Sequence, residues 1–192
     1  MSFKDIFEAK QRLLEGNRRF VTGKSESKKI NFEEIENLAV NGQNPFALIV
    51  CCSDSRVPPE LIFDQGFGQI FVVRTAGNVL DEIGFGSVEY GAEHLHIPLI
   101  VVLGHENCGA VKATIEGGEA HGAVKSIIDK IDYSLKKLNK PVNIYEECTD
   151  ENIRNTVREI CDNAVIAKLI KEDKTGVVGA KYGIHSGAVT FF

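Results

Sequence analysis

Two almost wholly apolar runs, Phe46–Cys52 and Leu99–Leu103, constrain this chain more than any other feature. Neither alternates polar with apolar residues, so neither suits a strand with one wet face. Both suit strands covered on both sides, as in a parallel sheet. Between them, Gln69–Arg74 reads as a further strand, and Glu82–His94 as a helix leading back to the Leu99 run. Strand, helix and strand in that order predict an α/β fold, a mostly parallel central β-sheet flanked by helices. Pro58-Pro59 can open a short helix after the first run. Downstream, Val124–Leu138 and Glu151–Glu172 read as helices and Thr175–Lys181 as a strand. Ser186-Gly187 then turns the chain into a last short strand, Ala188–Phe192.

Ahead of the first run, Phe3, Ile6, Phe7, Leu13, Leu14 and Phe20 recur among charges at helical spacing, and Gly23 ends that pattern. Lys24–Lys29 reads as a solvated connector. Phe32–Val40 reads as a second helix closed by Asn41-Gly42. Residues 1–40 are therefore expected to form an N-terminal helical arm, and 45–192 the α/β core, of one domain spanning 1–192. No internal repeat or low-complexity linker divides the 192 residues.

Charge and hydropathy exclude several partners. Twenty-two Lys and Arg against 27 Asp and Glu leave a net charge of -5, which argues against a general nucleic-acid or anionic-membrane surface. No apolar run approaches the roughly 20 residues of a membrane helix. Lys4, Asp5, Glu8, Lys10 and Arg12 interrupt any secretory leader. The expectation is a cytoplasmic protein with no nucleic-acid or membrane partner. Five cysteines cannot all pair. Cys51, Cys52 and Cys108, close to acidic residues and a histidine, read as metal-binding or catalytic before they read as disulfides.

Nucleotide-binding patterns fail on spacing. Gly16 to Gly23, followed by Lys24-Ser25, has six residues between its glycines where a phosphate loop needs four. Gly66-Phe67-Gly68 and Gly84-Phe85-Gly86 lack the third glycine of a dinucleotide fingerprint.

Two polar segments follow the apolar runs: Cys52-Ser53-Asp54-Ser55-Arg56 after the first, His105-Glu106-Asn107-Cys108 after the Leu99 run. In open α/β sheets, ligands collect outside the carboxyl ends of the strands. If the two strands are near neighbours, Cys52, His105 and Cys108 can converge. Two thiolates and an imidazole suit Zn²⁺, with a fourth position open. Cys51 points to the opposite side from Cys52. Cys108 precedes Gly109-Ala110-Val111 and can sit at a helix start, where the dipole favours its thiolate.

These residues resemble a known family. Cys-x-Asp-Ser-Arg followed by His-x-x-Cys is the signature of the β-class carbonic anhydrases. Gln43, Phe71-Val72-Val73-Arg74, Ala76-Gly77-Asn78 and Tyr90 match that pattern in order, so the resemblance runs from about Leu13 to the C-terminal strands. It implies one Zn²⁺ per chain, held by Cys52, His105 and Cys108, and reversible hydration of CO2 to bicarbonate and a proton by zinc-bound hydroxide. Asp54, kept ionised by Arg56, would orient that hydroxide. In part of the family the same Asp54 instead becomes a fourth zinc ligand that closes the site; the open arrangement is expected at alkaline pH. Substrate-binding positions carried over are Gln43, Phe71, Ala76, Tyr90 and Gly109, some facing a neighbouring subunit. That implies a homodimer or higher homo-oligomer, with the N-terminal helix as an arm around the partner. From composition alone Phe71 and Tyr90 would be core aromatics. His94, one turn after Tyr90, could move protons. With no Trp in the chain and Ile49 before Cys52, the plant-like, non-allosteric type is favoured over the type with a regulatory bicarbonate site. Hydrolysis of carbon disulfide or carbonyl sulfide, and a non-catalytic zinc protein, are the competing readings.

Overall fold

A computed structural model describes residues 3–26, 32–117 and 120–192. Five strands form one sheet: β1 (Ala47–Cys52), β2 (Ile70–Thr75), β3 (Leu99–His105), β4 (Gly176–Tyr182) and β5 (Val189–Phe191), in the spatial order β2-β1-β3-β4-β5. The first four are mutually parallel and β5 runs antiparallel to β4, so the expected architecture is observed. Every residue of β1 and β3 is buried, as two-sided burial requires.

Helices cover both faces. Ala47, Ile49 and Cys51 pack with Ala9 and Leu13 of α1 (Phe3–Val21) and Ile62 of α3 (Pro59–Ile62). Leu48 and Val50 face the other way, onto Val88 of α4 (Glu82–Glu89), Ile153 and Ile160 of α7 (Ile144–Asp162), and Ile166 and Leu169 of α8 (Ala164–Lys171). Helix α7 approaches β3 so closely that a Cβ at Gly104 would fall 2.5 Å from Ile153. The remaining helices are α2 (Phe32–Asn41), α5 (Gly109–Glu116) and α6 (Val124–Leu135).

Several expectations need correction. The run Glu151–Glu172 is two helices, because Asn163 turns out of the first and caps the second, accepting from Val165 and Ile166 amides. The first of them, α7, also begins seven residues early: Asn143 caps it, and Glu147 reaches back to the amides of Val142 and Asn143. The helix expected over Glu82–His94 widens into a single π turn at Tyr90–His94. The expected N-terminal helix is present and also packs on its own core. Leu13 is buried, and Asn17 bonds the carbonyls of Ile62 and Gly187 and the amide of Val189. Helix α2 has no fully buried residue of its own. The second half of the connector Lys24–Lys29, residues 27–29, lies outside the described residues. Among the described residues, no helix is long and apolar enough to cross a membrane.

Candidate metal centre

β1 and β3 are adjacent, with Cys51 opposite Leu103 in the register, so the segments leaving them meet at the same sheet edge. Cys52 ends β1, His105 ends β3, and Cys108 caps the start of α5. Their donor atoms all lie within 4.8 Å of one another, and all three residues are buried. Cys51, one residue earlier, faces the opposite core, as strand alternation requires.

The imidazole is oriented by its own chain. His105 Nδ1 lies 2.8 Å from the Glu106 carbonyl oxygen. A carbonyl only accepts, so Nδ1 carries the proton and the Nε2 lone pair is left for a ligand. That Nε2 is buried without a hydrogen-bond partner among the described residues. A buried acceptor left bare beside two thiols is an unfavourable arrangement unless something electrophilic takes its lone pair. Two sulfurs and one imidazole nitrogen are the donor set that suits zinc.

The sulfurs are tuned by their neighbours. The Cys108 thiol donates to Cys52 and so favours a thiolate there. Cys52 is pushed down by that bond, against its burial, with further help from the Gly77 amide at 3.3 Å. Cys108 is pushed up by the thiolate beside it, the response of a second site sharing one proton. A cation binding both sulfurs removes that competition. Cys148, in the same buried cluster, is pushed up to about 11 by burial and lies outside the donor group.

Asp54 and Arg56 flank the centre. Arg56 donates from Nε to Asp54 Oδ1 at 2.9 Å and from Nη2 to Oδ2 at 2.8 Å, and its amide also reaches Oδ1 at 2.9 Å. These bonds hold the carboxyl well below the usual carboxylate range. Asp54 Oδ2 is 4.0 Å from His105 Nε2, yet Asp54 does not join the donor cluster.

Three supporting contacts escape a reading of motifs. Arg74 donates to the carbonyls of Cys52 at 3.2 Å and Asp54 at 2.8 Å, clamping the loop that carries both. Arg56 Nη2 reaches the Asn107 carbonyl at 3.3 Å, tying the two ligand segments together. The Gly77 amide serves the Cys52 sulfur. In sequence, Arg74 and Gly77 carry only their place in the Arg74-to-Asn78 run as a signal.

The residues carried over as substrate-binding divide into two groups. Ala76 opens the turn after β2 beside Gly77, and Gly109 follows Cys108, so both lie at the centre. Phe71 pairs with Leu48 while Thr75 pairs with Cys52, which sets Phe71 about 13 Å back along the sheet from the Cys52 end. Gln43 precedes β1 at that same far end. The Phe71 and Tyr90 rings are 6.2 Å apart, lining an open cavity of about 710 Å³ with Ile83 and Phe85. Tyr90 is 49% exposed rather than a core aromatic. The Tyr90 and His94 rings lie 5.4 Å apart. Within one chain, Gln43, Phe71 and Tyr90 do not join the Cys52, His105, Cys108 cluster.

A mostly parallel open α/β sheet with a buried Cys₂His donor set at its carboxyl edge defines the class, an open-sheet protein with a candidate metal centre. The carbonic anhydrase family model matches residues 47–189. A carbonic anhydrase of Mycolicibacterium smegmatis is 38% identical over 92% of this chain and 88% of its own length. Carbonic anhydrase 2 of Mycobacterium tuberculosis is 38% identical over 91% and 87%. Among solved structures, the β-carbonic anhydrase CcaA superposes with a TM-score of 0.75 at 28% identity, covering 95% of this chain and 94% of that one. The Coccomyxa β-carbonic anhydrase in complex with acetazolamide gives 0.75 at 26%, covering 94% and 84%. The chain belongs to the β-class carbonic anhydrases, a family of lyases.

Proposed function

We propose that this chain catalyses the reversible hydration of CO2 to bicarbonate and a proton at a zinc site made by Cys52, His105 and Cys108, one ion per chain. The observation that carries this reading is the convergence of those three buried donors, from two segments remote in sequence, within 4.8 Å. Zinc, when bound, supplies the Lewis acidity that makes water nucleophilic near neutral pH.

The chain's own residues do the rest. Asp54, locked as a carboxylate by Arg56, can only accept a hydrogen bond. A solvent molecule that donates to it leaves an oxygen lone pair free to face the carbon of CO2. To serve as a fourth ligand instead, Asp54 must leave Arg56; the paired geometry favours the open arrangement. Arg74 keeps the Cys52–Asp54 backbone in place while this happens. Ala76 and Gly109 leave room beside the ligands for a molecule as small as CO2: among the described residues, nothing beyond Gly109's chain neighbours and its own helix backbone lies within 4 Å of where its Cβ would stand.

Gln43, Phe71 and Tyr90 complete a pocket across a homodimer, each chain supplying them to the centre of the other. Their distance from the ligands of their own chain supports that assignment, and the half-exposed Tyr90 supplies apolar surface for it. The five free thiols suit a reducing cytoplasm, and residues 1–192 act as one domain.

The experiment is metal content alongside stopped-flow CO2 hydration, for the parent and for Cys108→Ala. About one zinc per chain and zinc-dependent hydration are expected in the parent, with both lost in the variant. Zinc without hydration at pH 7 to 9 would reduce the protein to a zinc-binding module. Faster turnover of carbon disulfide or carbonyl sulfide than of CO2 would reassign the substrate.

A further inference from the structure

Gly77 stands between the Cys52 sulfur and helix α7. Its N–H donates to Cys52 Sγ at 3.3 Å, and its carbonyl oxygen accepts from Asn152 Nδ2 at 2.8 Å. The two groups flank one Cα, so holding the carbonyl fixes the turn through which the N–H is aimed. That turn needs holding. Gly77 has φ +71° and Asn78 φ +50°, two successive residues in the left-handed region. For Asn78 that conformation costs about 1 kcal/mol and persists only where the surroundings impose it.

Helix α7 imposes it from residues one turn apart. Asn152 bonds the Gly77 carbonyl, and Thr156 Oγ1 bonds the Asn78 carbonyl at 3.3 Å. Asn152 is 2% exposed. An amide taken that far out of water is destabilising unless its bonds are made, and its Nδ2 makes the bond to Gly77. Asn152 itself is remote from Cys52 in sequence and carries no motif.

We propose that Asn152 is a positioning residue of the metal centre: it holds the Gly77 turn so that the Gly77 N–H stays on Cys52 Sγ, and so sets how much charge that sulfur donates to a bound divalent cation. This inference rests on the reading of Cys52, His105 and Cys108 as metal ligands. Asn152 touches neither the ion nor the substrate. An N–H aimed at a thiolate withdraws electron density from it. Without that bond the sulfur's donor orbital rises in energy, and the ligand loses an orienting contact.

Cobalt(II) in the full-length chain provides the test, because thiolate ligation gives it a charge-transfer band. The band position and the Co²⁺ Kd, read by chelator competition, are compared in the parent, Asn152→Ala, Asn152→Asp and Thr156→Val. The parent is expected to show the band. Both Asn152 variants should move it to longer wavelength and bind Co²⁺ about tenfold more weakly. Thr156→Val, which removes the neighbouring support, should lose stability without moving the band. Should Asn152→Ala fail to fold, Asn152→Asp decides alone, since it keeps the shape and turns an acceptor toward the Gly77 carbonyl. An unmoved band in Asn152→Asp overturns the inference and leaves the metal centre standing. An equal shift in Thr156→Val overturns the assignment to Asn152. A parent without the band overturns the ligand reading itself, and this inference with it.

Discussion

Asp54 and Arg56 meet fork to fork, Nε on Oδ1 and Nη2 on Oδ2, and a third bond from the Arg56 amide closes the ring. Two residues apart on one turn, they form a unit the backbone has already assembled, so little side-chain freedom remains to be lost when it acts. The consequence is a carboxylate that stays ionised well into acid, 4.0 Å from the imidazole nitrogen of the metal cluster.

The fork itself is therefore expected to matter, beyond the charge. Arg56→Lys keeps a cation but gives up the planar two-point grip. The variant should bind zinc like the parent while kcat for CO2 hydration falls about 100-fold, the scale of a misplaced orienting group. Stopped-flow rates together with metal analysis check this. Unchanged kcat would mean that Asp54 needs no orienting partner.

Gly77 should tolerate no side chain. Its φ of +71° disfavours any L-residue, and a Cβ there would lie 2.8 Å from Ile131 Cδ1 and 3.2 Å from the Ala110 Cβ. Strain and overpacking together predict that Gly77→Ala loses about 2–4 kcal/mol of stability. Urea titration of parent and variant measures it. A loss under 1 kcal/mol would show that the turn relaxes freely.

Burial pushes the Cys51 thiol up to about 12 from an ordinary value near 9. A raised thiol pKa means the folded chain keeps a proton that the unfolded chain has lost. The associated stability is complete below about pH 9 and drains away as pH climbs toward 12, by about 1.4 kcal/mol per unit within that window. Cys51→Ala removes this slope while leaving a cavity. Denaturation at pH 8 and pH 10 should show the parent losing more stability between the two than Cys51→Ala does. Parallel losses would place the titrating group elsewhere.

The sheet was legible in the sequence because two-sided burial leaves β1 wholly apolar and β3 apolar up to the ligand His105 at its end, a signal independent of context. The ligands were legible because both segments sit where those strands end. Helix boundaries were harder. The break at Asn163 lies inside a run with neither Gly nor Pro, and only the amides of Val165 and Ile166 reveal the Asn as a cap. The early start of α7 did carry a signal, Asn143 with Glu146 and Glu147 after it, that hydrophobic periodicity passes over. The support behind Cys52 was illegible. Asn152 reaches Gly77 across 75 positions, and nothing local to either residue marks the bond.

A pocket shared between two chains makes a prediction that no single-chain pocket makes. Phe71→Ala leaves Cys52, His105 and Cys108 untouched, so zinc content should hold while kcat/KM for CO2 drops about tenfold, as expected for lost apolar contact with a small substrate. Cys108→Ala should be inactive for want of metal. In a hybrid dimer, the chain with intact ligands receives Phe71 from the Cys108→Ala chain, and the site so formed lacks nothing. Mixing the two inactive or impaired proteins under conditions of subunit exchange should therefore raise the specific activity above the average of the two alone. The rise should track the fraction of hybrid measured by native mass spectrometry. If Phe71 served its own chain, the hybrid would hold one impaired site and one empty one, and mixing would give only the average.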